Sequence, residues 1–379
     1  MRNVLMTLLA AALFIAVGCK QQSSENSNEI LIGEYGSLTG QTATFGQASH
    51  DGLELALEQL NNAGGLLGKK IRVITEDDAS DATQAVNVVQ KLVNSDGVVG
   101  VIGEVASKRS LAGGGICEQY HCPMLSPSST NPDVTVENGK VKKYVFRICF
   151  IDTFQGSIDG KFASQQGWKN VAMMTNVDED YSKGLAQSFK QEFSKSGKLA
   201  AEESYGGDTQ DFKAQLSRIK QQSPEAVYVP GYYNEVGLIL PQAKQVGLNV
   251  PFFGGDGWDS PLTLKLPDAQ GDFYSDHYSP DDKSPESQEF VRLFQAKFHR
   301  TPDAMAVLGY DAMRVMADAI RRAGKADRDA ITEALARTKD FPGASGKITI
   351  DKDHNAHKPI VILQLKNFDA TLFKTFQPE

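Results

Sequence analysis

The chain has few cysteines, few tryptophans and no long run of basic residues. Its 379 residues include 4 cysteines, 2 tryptophans and 6 histidines, and its formal net charge is −8 at pH 7. Because nucleic-acid binding needs clustered Lys and Arg against the phosphates, this composition gives such binding little electrostatic support. A hydrophobic fraction of 41% can form a large core, and the length suggests two or three domains.

The N-terminus carries the most specific targeting signal. Arg2 precedes an apolar stretch over residues 5–17 that is too short to predict a membrane span. The segment A-V-G-C follows and ends at Cys19; small residues before a cysteine resemble a bacterial lipobox. We therefore predict a lipoprotein signal peptide over residues 1–18, lipidation at Cys19, and a flexible tether over residues 19–28. Ordinary signal-peptidase cleavage beside an incidental cysteine is the alternative.

Two of the remaining cysteines are close in sequence. Cys117 and Cys122 could form a disulfide, because an exported protein reaches an oxidising compartment. Two buried free thiols are the alternative, since these positions fall at a predicted helix end and strand start. Neither cysteine belongs to a spacing typical of metal ligands, so we predict no metal site.

Short apolar strands alternate with amphipathic helices from residue 29 onward. Strands are predicted at residues 30–32, 71–74, 98–102, 124–125, 171–175, 226–229, 252–253, 347–350 and 360–365. Helices are predicted at residues 48–61, 80–93, 111–120, 184–196, 235–246, 287–298, 304–323 and 328–336. Continuous apolar strands separated by helices indicate parallel sheets covered on both faces. Because the alternation restarts near residue 171, we predict an α/β fold with two lobes.

Loops at the carboxyl ends of parallel strands form the ligand crevice in open sheets. The loop at residues 103–109 opens a helix, whose free N–H groups favour anions, and Ser107 there could contact a carboxylate or cap the helix. The loop at residues 126–132 places three hydroxyl residues between prolines, namely Ser128, Ser129 and Thr130. Such preset donors suit a ligand carboxylate, although an ordinary Ser/Pro turn has the same composition.

A third loop, G-G-D-G-W at residues 254–258, also follows a predicted strand. The glycines would let a ligand approach the backbone closely, and Asp256 could pair with a ligand ammonium group. Trp258 and Tyr232 could offer flat apolar surface beside this carboxylate. A Gly-Asp-Gly turn with a surface tryptophan is the alternative.

Motifs of the common enzyme classes are missing from the sequence. The segment N-A-G-G-L-L-G-K-K at residues 62–70 lacks the glycine spacing and the Ser or Thr of a phosphate loop, and no G-x-S-x-G segment occurs. A Ser-His-Asp hydrolase would need a histidine in the cleft loops, and none of the predicted cleft loops contains one. We predict no enzyme, no catalytic residue and no cofactor.

These segments, in this order, resemble the leucine/isoleucine/valine-binding proteins of bacterial transporters, which have the periplasmic binding protein fold of type I. The resemblance extends over about residues 30–365. Its most specific segments are residues 36–40, 45–46, 77–78, 102–103, 126–130, 181–186, 231–232 and 254–257. No single segment decides the resemblance, but the ordered set is specific.

The resemblance implies two discontinuous lobes joined by a three-strand hinge. Lobe one would comprise residues 29–150 and 276–344, and lobe two would comprise residues 151–275 and 345–379. It also implies an extracytoplasmic protein that binds an amino acid, branched-chain or otherwise hydrophobic, and docks on the permease of an ABC importer with its ATPase. A ligand-sensing module, or a binder of an aromatic carboxylate or amide, remains an alternative within the same fold.

The resemblance also implies roles for polar residues. The Ser107 and Thr130 hydroxyls would bind the α-carboxylate of the ligand, with backbone N–H groups near Ser128 and Thr130. The Ser128 carbonyl, the Thr130 hydroxyl and Asp256 would bind the α-ammonium group. Asp256 stands where the family has Glu, so its reach is shorter by one methylene group.

Aromatic residues would complete the site by the same resemblance. Tyr181 and Tyr232 match residues that seal the cleft, and Phe45 stands where the leucine-binding proteins have Tyr. The expected ligand-binding set is therefore Phe45, Ser107, Ser128, Ser129, Thr130, Tyr181, Tyr232, Asp256 and Trp258. The departures leave the identity of the ligand open.

Overall fold

The computed structural model describes residues 28–378, and the predictions for the signal peptide and Cys19 lie outside this range. The strands are β1 Glu29–Gly36, β2 Lys70–Asp77, β3 Val101–Ile102, β4 Met124–Ser126, β5 Val136–Glu137, β6 Lys140–Val141, β7 Val145–Arg147, β8 Asn170–Asn176, β9 Lys198–Tyr205, β10 Ala226–Tyr228, β11 Phe252–Gly254, β12 Phe273–Asp276, β13 Phe341–Gly343, β14 Gly346–Ile348, β15 Ile360–Lys366 and β16 Asp369–Phe376. The helices are α1 Ala43–Asn62, α2 Ala82–Gln90, α3 Ser107–Gln119, α4 Asp152–Gln165, α5 Asp180–Phe193, α6 Lys213–Gln221, α7 Tyr233–Gln245, α8 Pro261–Leu264, α9 Pro285–Phe298, α10 Ala304–Ala323 and α11 Arg328–Ala336.

Two large sheets carry these elements. The five-stranded sheet has the order β2-β1-β3-β4-β7, and all its strand pairs are parallel. The seven-stranded sheet has the order β16-β15-β12-β11-β10-β8-β9, in which only β15 and β16 run antiparallel to their neighbours. Helices cover both faces of the parallel strands, which explains why β10 and β11 are buried along their whole length. The predicted α/β class is confirmed.

The helices of the C-terminal third pack beside the five-stranded sheet, although they follow a strand of the other sheet. Helices α1 and α10 pack closely against each other, and two glycines permit it. A Cβ atom on Gly52 would collide with the Ala306 carbonyl oxygen, and one on Gly309 would collide with the Ser49 carbonyl oxygen. The chain therefore crosses three times between the half built on one sheet and the half built on the other: after β7, after β12 and after β14.

Some elements differ from the sequence-based expectation. Helix α2 is capped by Asp81, whose carboxylate accepts a hydrogen bond from the Gln84 N–H at 2.8 Å, so the helix predicted at residues 80–93 begins only at Ala82. Strands β9 and β16 were not expected, because they lie at the edges of their sheet and expose one face. No helix in the described part of the chain is both long and apolar enough to cross a membrane.

The described cysteines are free thiols, which contradicts the disulfide considered between Cys117 and Cys122. Both side chains are fully buried among apolar residues that include Val98 and Met124. Burial raises the pKa of the Cys122 thiol to about 12, so it remains protonated at neutral pH. These cysteines therefore act as small apolar core residues.

Candidate ligand-binding site

Helix α3 begins at Ser107, directly after β3 and its connecting loop. Ala106, not Ser107, occupies the N-cap position, so the interpretation of Ser107 as a cap is wrong. The Ser107 hydroxyl instead accepts a hydrogen bond from the Asn131 N–H at 3.1 Å. The first-turn N–H groups of α3 point toward the helix start, where they favour a negative group.

The loop after β4 is held by hydroxyl groups that bind the neighbouring loop. The Ser128 hydroxyl donates to the Val105 carbonyl oxygen at 2.9 Å, and the Ser129 hydroxyl donates to the Glu104 carbonyl oxygen at 2.9 Å. Ser128 and Ser129 are therefore committed to loop structure through their side chains, and a ligand can reach only their backbone groups. The Thr130 hydroxyl, by contrast, has no hydrogen bond within the described residues.

A buried arginine fixes the backbone of this loop. The side chain of Arg147 is fully buried at the end of β7. Its guanidinium donates to the Ser129 carbonyl oxygen at 2.6 Å and to the Asn131 carbonyl oxygen at 2.7 Å. Because these two carbonyl groups flank Thr130, this arginine fixes the backbone on both sides of that residue.

The loop after β3 is held by a buried ion pair. Glu104 accepts hydrogen bonds from the Ser37 N–H at 3.0 Å, the Ser37 hydroxyl at 2.9 Å and the Ala106 N–H at 2.6 Å. The Arg109 guanidinium lies 3.1 Å from Glu104 and also donates to the Thr42 hydroxyl at 2.8 Å. These contacts connect the start of α3 to the end of β1 and to the start of α1.

Asp256 follows β11 and is held by three side chains. One carboxylate oxygen accepts hydrogen bonds from the Gln155 amide at 2.8 Å and from the Tyr181 hydroxyl at 2.9 Å. The other oxygen lies 3.1 Å from Nε2 of His277. Burial lowers the pKa of His277, so the ring is neutral at pH 7 and donates from Nε2. The carboxylate thus has a fixed orientation before any ligand binds.

His277 corrects the expectation that no histidine lies in the loops around the site. It follows β12, a strand that the sequence pattern did not reveal, and its ring stacks on Phe150 at a centroid distance of 3.7 Å. Its Nδ1 atom has no hydrogen-bond partner in the described range, so no serine hydroxyl is paired with this ring as a nucleophile would require.

Aromatic side chains from both halves meet beside Asp256. The rings of Tyr181 and Tyr232 stack at 5.0 Å, and Phe45 meets Tyr232 edge-on at 5.9 Å. The Tyr232 hydroxyl has no hydrogen bond within residues 28–378. Trp258 points elsewhere: it is fully buried in the core of the seven-stranded sheet, and its indole N–H donates to the Val229 carbonyl oxygen at 2.9 Å. The expectation that Trp258 faces a ligand is wrong.

The two halves touch directly around these residues. The Asn131 amide donates to the Asp180 carbonyl oxygen at 2.8 Å, and the Tyr233 hydroxyl donates to the Gln41 carbonyl oxygen at 2.9 Å. Each of the nine expected ligand-binding residues is at most 6% exposed, and Tyr232 is the most exposed of them. The structure therefore has the halves closed over the convergent loops.

Asp152 is a further buried acid that the sequence did not reveal. It is the first residue of α4, and its N–H donates to the Thr130 carbonyl oxygen at 2.9 Å. Its side chain is fully buried, and neither carboxyl oxygen has a hydrogen bond within the described part of the chain. Burial, followed by the nearby Asp256 charge, raises the pKa of Asp152 well above its ordinary value. The Thr130 hydroxyl opposes part of this increase, although its approach falls short of a formed hydrogen bond.

Comparison with known protein families agrees with this architecture. A family model described as periplasmic binding protein matches residues 29–370 of the chain. The chain belongs to this family. Periplasmic binding proteins similar to it include the leucine-, isoleucine-, valine-, threonine- and alanine-binding protein of Pseudomonas aeruginosa, which is 32% identical over 372 residues, 97% of this chain and 95% of that protein.

Solved structures of periplasmic binding proteins are also similar to this chain. The leucine-binding protein of Thermotoga maritima has a TM-score of 0.87 at 36% identity, covering 92% of this chain and 99% of that one. The branched-chain amino acid transporter substrate-binding protein of Streptococcus pneumoniae, in complex with isoleucine, has a TM-score of 0.86 at 32% identity, covering 91% and 99%. The resemblance seen in the sequence is therefore confirmed at the level of the family.

Proposed function

We propose that this periplasmic binding protein binds a branched-chain or other hydrophobic amino acid between its two halves and delivers it to the permease of an ABC importer, whose ATPase drives uptake. The observation that carries this proposal is the fixed Asp256 carboxylate, which lies in the same buried region as the convergent loops around Ser107 and Thr130. The Asp256 charge acts on the Asp152 carboxyl group, and the Asp152 N–H binds the Thr130 carbonyl oxygen, which supports the proximity of these groups.

The chemistry of the site supports a zwitterion with an apolar side chain. The α3 N-terminus with the Ser107 and Thr130 hydroxyls suits a carboxylate, because several fixed donors converge there. Asp256 suits an ammonium group. The remaining wall is aromatic, so the ligand side chain would contact Phe45 and Tyr232. The leucine-, isoleucine- and valine-binding names of the relatives agree with this ligand class.

The lobes proposed for this chain are discontinuous. Lobe one comprises residues 29–150 and 276–344, and lobe two comprises residues 151–275 and 345–379. Three passages of the chain between the two sheets support this division, as does the packing of α10 on α1. The three passages would form the hinge.

Ligand binding would proceed by closure about this hinge. The ligand would first contact Ser107, the Ser128 backbone and Thr130 on lobe one. Lobe two would then bring Tyr181, Tyr232 and Asp256 over it. Because these lobe-two contacts exist only in the closed state, the ligand stabilises that state relative to the open one.

We further propose that the mature protein is lipid-anchored through Cys19 on the outer side of a bacterial membrane. The apolar stretch and the A-V-G-C segment support this proposal. A Cys19→Ser variant would then leave the membrane fraction and partition into the aqueous phase of a Triton X-114 extraction. Equal partition of both proteins into the detergent phase would contradict anchoring at this residue.

The binding proposal is tested by thermal unfolding of the purified protein with the twenty standard amino acids, benzoate and small amides. A ligand that binds only the folded state stabilises that state, by about 2.7 kcal/mol at a ligand concentration of 100 Kd. The melting temperature rises as a result. We expect increases with leucine, isoleucine or valine. Increases with benzoate or amides, and none with any amino acid, would contradict the proposal.

A further inference from the structure

The turn between α1 and β2 presents an exposed leucine on a fixed support. The Leu66 N–H donates to the Lys69 carbonyl oxygen and the Lys69 N–H donates to the Leu66 carbonyl oxygen, each at 2.9 Å. Leu67 and Gly68 between them have φ angles of 52° and 75°, as in a type I′ turn. Leu66 is buried in the core, whereas Leu67 is 42% exposed. Because a leucine with positive φ crowds its own backbone, this turn holds an apolar side chain in solvent at a conformational cost.

Two lysines at the base of this turn give it a positive charge. Lys69 is partly exposed and Lys70 is exposed, and neither is paired with a carboxylate in the described part of the chain. Together with Asn28 and Glu29 they line an open cavity of about 380 Å³. Glu29 is the only acidic residue among those described that line it, and it is paired with Arg72 at 3.0 Å. Since the chain as a whole has a net charge of −8, this turn is a local basic surface on an acidic protein.

The predicted lipid anchor would leave the fold at the same place. Strands β1 and β2 are parallel and begin side by side, with Glu29 opposite Lys70. Nine residues separate Glu29 from Cys19, and a segment of that length reaches at most about 30 Å when fully extended. A lipid on Cys19 would therefore hold this end of the five-stranded sheet near the membrane. The loops of Ser107 and Thr130 follow the carboxyl ends of β3 and β4 in the same parallel sheet, so they lie at its opposite end.

We propose that the turn at residues 64–70 contacts anionic phospholipid headgroups of the membrane to which Cys19 anchors the protein. Leu67 enters the boundary between headgroups and acyl chains, and the ammonium groups of Lys69 and Lys70 lie at the lipid phosphates. A single exposed leucine is ordinary on a protein surface, but an apolar side chain beside two lysines matches a boundary that is apolar on one side and negatively charged on the other. The inference rests on the proposed lipid anchor and is independent of the identity of the transported ligand.

The strength of the contact depends on the anchor. Each lysine near an anionic surface favours the contact by about fivefold, which corresponds to about 1 kcal/mol. Two such lysines would bind a membrane only weakly from solution, whereas the anchor makes the contact intramolecular and raises its effective concentration. Replacing both lysines by glutamine should therefore lower the ratio of contacting to non-contacting protein by about 25-fold. The affinity for amino acids should not change, because the ligand-binding loops lie at the other end of the sheet.

The test uses the lipidated mature protein in vesicles, with an environment-sensitive fluorophore on Leu67→Cys. The described cysteines are buried and Cys19 would carry lipid, so the label reaches only residue 67. We expect emission at shorter wavelength in vesicles of equal parts phosphatidylcholine and phosphatidylglycerol than in vesicles of phosphatidylcholine alone. Added salt should reverse this shift, because it screens the lysines from the lipid phosphates. Lys69→Gln combined with Lys70→Gln should abolish the shift.

Two controls match this design. The same label on Val177→Cys, at an apolar residue that is 50% exposed and follows β8, should show no shift. Lys265→Gln combined with Lys366→Gln removes the same charge from exposed positions of the other half and should leave the shift at residue 67 intact. Equal emission in both kinds of vesicle, an equal shift with the label at residue 177, or an equal loss of shift in both lysine pairs would overturn the inference. Protein that does not remain with the vesicles would overturn the proposed anchor and this inference with it, whereas amino-acid binding would still decide the proposed function.

Discussion

Replacing Asp256 by alanine is expected to weaken amino-acid binding by more than tenfold. The carboxylate would provide the fixed counter-charge for the ligand ammonium group, and one charge-assisted hydrogen bond contributes about 1.5–3 kcal/mol. The variant would also leave the donors of Gln155 and Tyr181 without their acceptor. Because the ammonium group would be buried without a partner, the loss should appear in calorimetric affinity for L-leucine.

Asp272→Ala is the control for this change. Asp272 is another buried carboxyl group of the same sheet, with a pKa raised to about 8 by burial, and it accepts a hydrogen bond from the Phe252 N–H at 2.9 Å. Asp272 precedes β12, whereas Asp256 follows the parallel strand β11, so the two residues lie at opposite ends of these strands. Its replacement should change stability but leave affinity within about twofold, a span of less than 0.5 kcal/mol. An unchanged affinity in Asp256→Ala would remove the ammonium assignment.

Replacing Glu104 by alanine is expected to lower the free energy of unfolding by about 3–5 kcal/mol, the usual cost of breaking a buried ion pair on one side. The Arg109 guanidinium, 3% exposed as a residue, would remain without its carboxylate. The N–H groups of Ser37 and Ala106 would lose their acceptor as well. Urea unfolding followed by circular dichroism measures this change.

An exposed ion pair provides the comparison for Glu104. Glu289 lies 2.6 Å from Arg292 on the surface of α9, where solvent screens the interaction. Glu289→Ala should therefore lower stability far less than Glu104→Ala. Similar losses in both variants would show that the Glu104 pair does not organise the loop before α3.

Strong helical periodicity allowed parts of the fold to be predicted to the residue. Helices α10 and α11 were expected at residues 304–323 and 328–336 and occur there, because Asp303 and Asp327 cap them and apolar positions repeat along them. Helix α4 was missed for the opposite reason: its inward face carries the polar residues Asp152, Gln155 and Asp159, which hide the apolar period.

The same limits explain which parts of the site the sequence revealed. The rule that ligands bind at strand ends selected the loops of Ser107, Thr130 and Asp256, all of which are buried where the two halves meet. Gln155 and His277 were missed because they belong to α4 and to the segment after β12, two elements that the pattern did not reveal. Tertiary packing, and not the local sequence pattern, brings these two side chains to Asp256.

Two of the wrong predictions, for Trp258 and for the cysteines, have local causes. Trp258 folds inward because Gly254 has no side chain; a Cβ atom there would collide with the indole ring. A G-G-D-G-W segment does not encode that direction. The five-residue separation of Cys117 and Cys122 allowed a disulfide, but the side chains pack as separate thiols across the turn that ends α3.

One site is expected to bind both charged groups of an amino acid, and calorimetry with three related ligands distinguishes such a site from one that binds a single charge. L-leucine carries both charged groups, 4-methylpentanoate lacks the ammonium group, and 3-methylbutylamine lacks the carboxylate. We expect L-leucine to bind and each analogue to bind at least about 100-fold more weakly, since each loses roughly 3 kcal/mol of charge-assisted hydrogen bonding. Binding of 4-methylpentanoate within tenfold of L-leucine would contradict the claim.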